Sequence, residues 1–323
     1  MSQRKEINLI VAVTGINSGL GRTLVPKLQH ERAIEKIIGI DISEYKDNPE
    51  KIEFIRMDVR DADGMERALK GADVLVHLAY IVVPKKIPKL KLIYDINVNG
   101  SKTVFQAAAK NSVKKIIHLS SQSVYGHVKE CPKIVKEDAL RLGIKTTNFY
   151  YSHTKALVEE FLDQFEKDFP ISVIRLRPPV ITGPHFLQNL GLLDFRNKKR
   201  ATTAIPANHD GKLPIQLIHE EDLTDIVMMA IMKDMRGAYN VGSNILPDLE
   251  EFAKWEYGLK VRRLPQFLVK LGIKAGRIWK SLIWAQAILY NSLLNTEKIE
   301  QEFNWKPKYS TEACITEINR QKN

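Results

Sequence analysis

An apolar run, Ile7 to Val13, leads directly into Thr14-Gly15-Ile16-Asn17-Ser18-Gly19-Leu20-Gly21-Arg22, and an acid, Asp41, ends the next apolar run twenty residues beyond Gly21. Few architectures accommodate a buried strand, a glycine-rich turn, a helix start and an acid at that distance. Gly15 allows the tight turn, Gly19 lets backbone amides approach a pyrophosphate, and Gly21 lets the helix start pack on the strand. The helix N-terminus then faces the phosphates. The stretch Gly15 to Gly21, with Asn17, Ser18 and Leu20 between its glycines, is predicted to hold a dinucleotide. Asp41 is placed to accept bonds from the adenosine ribose hydroxyls. A carboxylate there repels a 2′-phosphate, and Ile42-Ser43-Glu44 supply no arginine to offset it, so NAD is favoured over NADP.

Short runs rich in Ile, Val or Leu predict strands near 7–13, 36–40, 52–57, 73–78, 113–119 and 171–176, alternating with helices. That order describes a parallel sheet buried on both faces. The expected fold class is α/β, a Rossmann-type doubly wound parallel sheet with a smaller, mostly helical C-terminal substrate lobe. Residues 1–180 are expected to form the NAD-binding domain. Pro214 to Ile218 and Ala238 to Val241 are expected to return to it as strands, so that 214–242 rejoins the cofactor lobe. The substrate lobe, 181–323, is then discontinuous, 181–213 with 243–323. After Pro184 the pattern loosens into loops and short helices, including Phe195 to Arg200.

A second constellation, Tyr151-Ser152-His153-Thr154-Lys155, opens a helix expected to run to about Phe169. Residues four apart on a helix share a face, so the phenol and the ammonium converge. A free tyrosine, with a pKa of about 10, is a poor base at neutral pH. An ammonium about 4 Å away contributes about 4 kcal/mol at an effective dielectric of 20. That equals roughly three pKa units, enough to bring Tyr151 into working range as a general base. Tyr150 has the wrong spacing to Lys155 and is read as packing.

On these residues the chain resembles the short-chain dehydrogenase/reductase superfamily, and its length and C-terminal half resemble the extended branch, the NAD-dependent epimerase/dehydratase family. The resemblance takes in Asp58-Val59 after the third strand, which it places near the adenine, and His77-Leu78-Ala79 ending the fourth, where Leu78 and Ala79 line the cofactor. In Asn97-Val98-Asn99-Gly100-Ser101 it implies that Asn97 is a structural or proton-relay asparagine. In Leu119-Ser120-Ser121-Gln122-Ser123-Val124-Tyr125-Gly126 it implies a substrate-orienting serine. Counting back four from Tyr125 selects Ser121, with Ser120 and Ser123 as competitors. Arg177-Pro178, with Pro178 at the cofactor, Gly183-Pro184 and Ile218-His219-Glu220-Glu221-Asp222-Leu223 are further landmarks. His219 and Asp222 are read there as structural, a strand end and a helix start.

Three positions depart from the family pattern. Ser18 stands where extended members usually carry a glycine, although either spacing exposes amides. Gln122 and Ser123 stand where dehydratases carry an acidic pair, which disfavours dehydration. Ile215 stands where nucleotide-sugar epimerases often carry an arginine that grips the diphosphate. The resemblance implies an NAD-dependent oxidoreductase moving hydride to and from a secondary alcohol carbon. Tyr151 is expected as base or acid, Ser121 as the donor to the forming carbonyl, and Lys155 as the group that lowers the tyrosine pKa and holds the nicotinamide ribose. The small-molecule substrate is expected to be a nucleotide sugar undergoing epimerisation. The alternatives are a dehydrogenase of a steroid-like or lipid alcohol and a non-catalytic NAD-binding regulator.

Cys131 and Cys314, the only two cysteines, lack metal-ligand spacing and read as reduced thiols; no metal site is expected. Met1 to Glu6 is a short polar lead, and no stretch reaches the roughly eighteen uncharged apolar residues of a membrane span. A cytoplasmic protein is expected. The formal charge is +11, yet no recognition motif accompanies it, so nucleic acid is not an expected partner. The charge concentrates at Lys85, Lys86, Lys89 and Lys91 and between Gly258 and Thr296, where seven Lys and Arg occur without an acid. The latter stretch also holds Leu264, Phe267, Leu268, Leu271, Trp279 and Trp284, with Gly272 and Gly276 marking a helix break. Segment 260–294 is read either as a cover of the substrate lobe that touches anionic membranes weakly, or as a buried helix pair or homodimer contact.

Overall fold

The computed structural model describes residues 8–47, 50–82, 90–186, 193, 204–206, 212–259, 262–265, 267–268, 271, 286–287 and 290–320. Two compact units divide the chain. One comprises residues 1–120, 157–177 and 224–239, the other 121–156, 178–223 and 240–323.

In chain order the first unit carries β1 (Leu9–Thr14), α1 (Gly19–His30), β2 (Ile34–Asp41), β3 (Ile52–Arg56), α2 (Ala62–Ala68), β4 (Val74–His77) and α3 (Leu90–Tyr94). A π-helical turn, Asp95–Gly100, then runs into α4 (Ser101–Lys110) and β5 (Lys115–Leu119). The second unit begins with a 3₁₀ turn, Gln122–Tyr125, and adds β6 (Ile134–Val135) and the first turns of α5 (Tyr150–Asp168). There follow β7 (Ser172–Arg177), β8 (Val180–Thr182), β9 (Ala204–Pro206), β10 (Ile215–His219), α6 (Glu220–Met232), β11 (Gly237–Asn240), β12 (Ile245–Leu246) and α7 (Leu249–Tyr257). The chain closes with β13 (Arg262–Leu264), β14 (Leu293–Leu294), α8 (Glu297–Phe303) and α9 (Thr311–Arg320).

The large sheet has the order β11-β7-β5-β4-β1-β2-β3, with every pairing from β7 to β3 parallel. The change of direction between β1 and β4 creates the crevice beyond the strand ends where such sheets take ligands. Ala12, Leu75, Ile116 and Val173 on the sheet meet Val104, Phe105 and Ala108 of α4 and Val158, Leu162 and Phe165 of α5. Phe105 is fully buried, and each such side chain contributes about 1.5–3 kcal/mol by leaving water.

The expected return of 214–242 divides. β11 joins the large sheet beside β7, but β10 does not. It pairs in parallel with β8 and antiparallel with β12, in a small sheet of the second unit. Its apolar Leu217 faces a separate cluster with Leu213, Leu246, Leu249 and Ile315, which a five-residue pattern in the sequence does not distinguish from the main core. Two further pairs among the described residues are β13 with β9 and β14 with β6.

Met1 to Glu6, Lys85, Lys86, Lys89, Phe195 to Arg200, Lys260, Lys270, Trp279 and Trp284 lie outside the described residues. Within segment 260–294, the described Phe267, Leu268 and Leu271 are exposed. Among the described residues, no helix is long and apolar enough to cross a membrane.

Candidate active site

In the first unit, β1 delivers Gly15 into a left-handed conformation, φ 74°. A Cβ there would lie 2.6 Å from Ala79 N and 2.9 Å from the Leu78 carbonyl carbon. Leu78 and Ala79 thus form the back wall of the turn, and Leu78 N donates to Thr14 O at 3.0 Å. At Gly21 a Cβ would lie 2.2 Å from Ile16 O, so α1 can start this close to the strand only with glycine. Gly19 is the first residue of α1 and Leu20 is buried beneath it. Ser18 is the N-cap, its Oγ accepting from Gly21 N at 3.1 Å. The departure from a family glycine at this position therefore has a local reason: the hydroxyl satisfies one helix-end amide.

Asp41 closes β2 beside this turn. Its Oδ2 accepts from Asn17 N at 3.1 Å and its Oδ1 from Ser43 N at 2.9 Å. Asn17 Nδ2 donates to Ser43 O at 2.8 Å, tying the two loops together. Each carboxylate oxygen keeps a further lone pair, so a ribose hydroxyl still finds an acceptor. A tight glycine turn, a capped helix end and an acid with spare acceptor capacity fit a dinucleotide. Sequence reasoning missed Arg56. It stands opposite Asp41 in the β2–β3 register, exposed, with Nε donating to Ile42 O at 3.1 Å. Only the strand pairing reveals it, since it lies fifteen positions from Asp41.

Asp58 is held by Arg60, with Nη2 to Oδ2 at 2.7 Å and Nε to Oδ1 at 3.0 Å. The Arg60 hydrogen bond keeps its carboxyl below the ordinary range. Val59 is buried against Gly100, where a Cβ would lie 2.7 Å from Val59 Cγ2. Asn97 is fully buried in the π-helical turn, accepting from Ile81 N at 2.9 Å and donating to Ile81 O at 3.0 Å. Its side chain clamps the backbone after β4.

In the second unit, Ser121 caps the 3₁₀ turn Gln122–Tyr125, and its Oγ accepts from Ser123 N at 3.1 Å. That bond directs the Ser121 hydroxyl, which hydrogen-bonds Tyr151. Ser152, next on α5, donates to Ser123 O at 2.6 Å and fixes the helix start against the turn. Gln122 N donates to Pro178 O at 2.8 Å, bringing Pro178 beside Ser121. Both competitors are otherwise engaged. Ser123 Oγ meets His127 Nε2 at 3.1 Å, and in the first unit Ser120 Oγ donates to Glu159 at 2.5 Å. Tyr125 donates to Asn240 Oδ1 at 2.6 Å, which leaves it structural.

Lys155 follows Tyr151 by one helical turn and is buried. Burial pushes the Tyr151 hydroxyl above its ordinary range, while the Ser121 hydrogen bond pulls it down. The net direction is opposite to the lowering expected from Lys155, because removing a phenolate from water is costly. Tyr150, also buried, is pushed up to about 12 by burial first and then by Tyr151. His219 ends β10, stacks on Tyr309 at 3.9 Å and meets Glu317 at 2.8 Å. Asp222 accepts from Lys308 N and Tyr309 N.

A model of the NAD dependent epimerase/dehydratase family matches residues 11–242. A UDP-glucose 4-epimerase of Cyamopsis tetragonoloba is 26% identical over 299 residues, covering 83% of this chain and 79% of the relative. Among solved structures, the UDP-N-acetylglucosamine 4-epimerase of Methanobrevibacter ruminantium, in complex with UDP-N-acetylmuramic acid, is similar at TM-score 0.72 and 22% identity, over 96% of this chain and 97% of that one. The enzyme WbmG of Bordetella bronchiseptica, in complex with NAD and UDP, is similar at TM-score 0.70 and 20% identity, over 95% and 91%. With the family match spanning most of its length and the fold shared over nearly all of it, this chain belongs to the NAD-dependent epimerase/dehydratase family.

Proposed function

We propose that the protein is an NAD-dependent epimerase of a nucleotide sugar, inverting a secondary alcohol carbon by removing and returning a hydride. The observation that carries this is the Ser121–Tyr151 hydrogen bond on the face of α5 that also bears Lys155. NAD, when bound, supplies the hydride acceptor at C4 of nicotinamide. Gly15 to Gly21 would hold its pyrophosphate and Asp41 its adenosine ribose. Tyr151 Oη takes the proton of the alcohol as the carbon–hydrogen bond breaks. Ser121 donates to the forming carbonyl oxygen, and Lys155 stabilises the phenolate against the burial that opposes it. Inversion would follow if the hydride came back to the opposite face of the carbonyl carbon, with Tyr151 giving its proton back to the oxygen. Gln122 and Ser123 offer no carboxyl acid for a leaving hydroxyl, which supports epimerisation over dehydration.

A second reading, dehydrogenation of a steroid-like or lipid alcohol, is favoured by Ile215. It packs against the cluster of Leu213, Leu217 and Leu249 and offers no cation to a diphosphate. The two readings differ in the fate of the hydride. An epimerase need not release cofactor, so NAD is expected to copurify near stoichiometrically, and UDP-sugars deuterated at the inverting carbon should retain the label. Steady NADH release with an alcohol substrate, and no inversion of any UDP-sugar, would assign the dehydrogenase instead.

The cofactor preference makes a separate expectation. NAD should bind more tightly than NADP, because the Asp41 carboxylate repels a 2′-phosphate. Asp41→Ala should narrow or reverse the gap, since it removes the carboxylate opposite the exposed Arg56 cation. Titration of both nucleotides against both proteins decides; equal affinities in the wild type would remove the assigned role of Asp41.

A further inference from the structure

A single buried chain of hydrogen bonds links the dinucleotide turn to the segment after β4, and its middle member is His77. Thr14, the last residue of β1, lies at 2.7 Å from His77 Nδ1 through its Oγ1. His77 Nε2 lies at 2.9 Å from Ser101 Oγ, and Ser101 Oγ lies at 2.6 Å from Asn97 O. Asn97 in turn brackets Ile81 through both N and O. Thr14, His77, Asn97 and Ser101 are all buried.

The protons in this chain follow from its acceptors. Asn97 O is a carbonyl and can only accept, so the one Ser101 hydroxyl proton points to it. Ser101 Oγ must then receive a proton from His77 Nε2. In a neutral imidazole Nδ1 is left bare and accepts from Thr14. Neutrality suits the surroundings, since Phe105 meets the ring edge-on at 5.1 Å and His118 stacks on it at 5.7 Å. Every bond therefore runs in one direction, from Thr14 to Asn97, and a reversed tautomer would leave acceptor facing acceptor between His77 Nε2 and Ser101 Oγ.

We propose that His77, as the Nε2–H tautomer, is a positioning residue that locks the Gly15 turn to the π-helical turn carrying Asn97, and so sets NAD affinity without touching NAD. The inference rests on the assignment of Gly15 to Gly21 as the dinucleotide turn. Its physical basis is proximity: the Gly15 backbone lies against Leu78 and Ala79, the residues directly after His77, with no room for a Cβ. A His77 ring free to tilt would move both walls of that contact.

The test has a spectroscopic and a binding arm. In the full-length protein labelled with ¹⁵N-histidine, the resonances lost in His77→Phe identify the ring. The wild type should show a bare Nδ1 and a protonated Nε2; a protonated Nδ1 overturns the proposal. Ser101→Ala and His77→Phe should each weaken NAD by about tenfold, as expected for one buried hydrogen bond, with turnover at saturating NAD within about twofold of wild type. Affinity unchanged in Ser101→Ala, or turnover falling with affinity intact, overturns it as well. Should His77→Phe fail to fold, Ser101→Ala and the wild-type spectrum still decide. Gly15→Val separates the two levels: if it binds NAD as tightly as wild type, the turn assignment itself fails, whereas loss of NAD there with normal affinity in Ser101→Ala rejects only the role of His77.

Discussion

Tyr151→Phe is expected to leave NAD binding intact and to lower turnover by about 10²–10⁴, the usual contribution of a positioned acid–base group. Phenylalanine keeps the ring and removes only the hydroxyl that Ser121 addresses. The pH profile supplies a second readout. Burial raises the Tyr151 pKa, and a base works only when deprotonated, so activity should rise with pH through that pKa. The rising limb should vanish in the variant. Lys155→Ala should behave differently, lowering both turnover and NAD affinity. Near-wild-type turnover of Tyr151→Phe on an identified substrate would remove the proposed chemistry.

The second large effect is on stability. In the first unit Glu159 is fully buried, hydrogen-bonded by Arg177 through both oxygens and by Ser120 at 2.5 Å. Arg177 is itself nearly inaccessible. Burial alone would raise the Glu159 pKa, but the charge and hydrogen bonds of Arg177, with Ser120, hold it at about 2. Glu159→Ala removes the carboxylate paired with the buried guanidinium and is expected to cost about 3–5 kcal/mol. The melting temperature should drop by on the order of 10 °C. The pH dependence follows from a depressed folded pKa. The pair's contribution is fully present above the unfolded glutamate value, about 4.3, and is lost as pH falls towards 2. Denaturant unfolding at pH 7 and pH 3 should show wild type and Glu159→Ala converging at the lower pH. A constant gap between them would mean that the pair does not carry this stability.

The strands of the large sheet were legible because parallel strands buried on both faces read as continuous Val, Ile and Leu runs. Positions 7–13 and 171–176 correspond to β1 and β7 within two residues. β10 is legible as a strand but its sheet is not, since an apolar pentamer carries no address; its partners β8 and β12 are only three and two residues long. At the candidate site, the backbone demands at Gly15 and Gly21 were legible from the strand–turn–helix pattern, whereas Ser121 was named only through the family resemblance. Arg56 and Glu159 were not legible, because each acts through a neighbour set by strand register or helix packing. The Tyr151 pKa is a different case. Spacing revealed the lysine, whereas the burial that opposes it depends on the packed structure and has no signature in five residues.

The small sheet around β10 also bears on how this chain is made. Leu217 N is satisfied by the Thr311 hydroxyl at 3.2 Å, and Gln216 by Leu294, donating to its O at 3.2 Å and accepting from its N at 2.8 Å. Asp222 waits for the amides of Lys308 and Tyr309. At a synthesis rate of about 5–20 residues per second, the 94 positions from Leu217 to Thr311 take roughly 5–20 s to follow. During that interval the strand has emerged while the groups that complete it have not yet been made. β8 and β12 pair the strand before then, but the Leu217 amide, the Gln216 side-chain amide and the Asp222 carboxylate gain these partners only once the later residues are made.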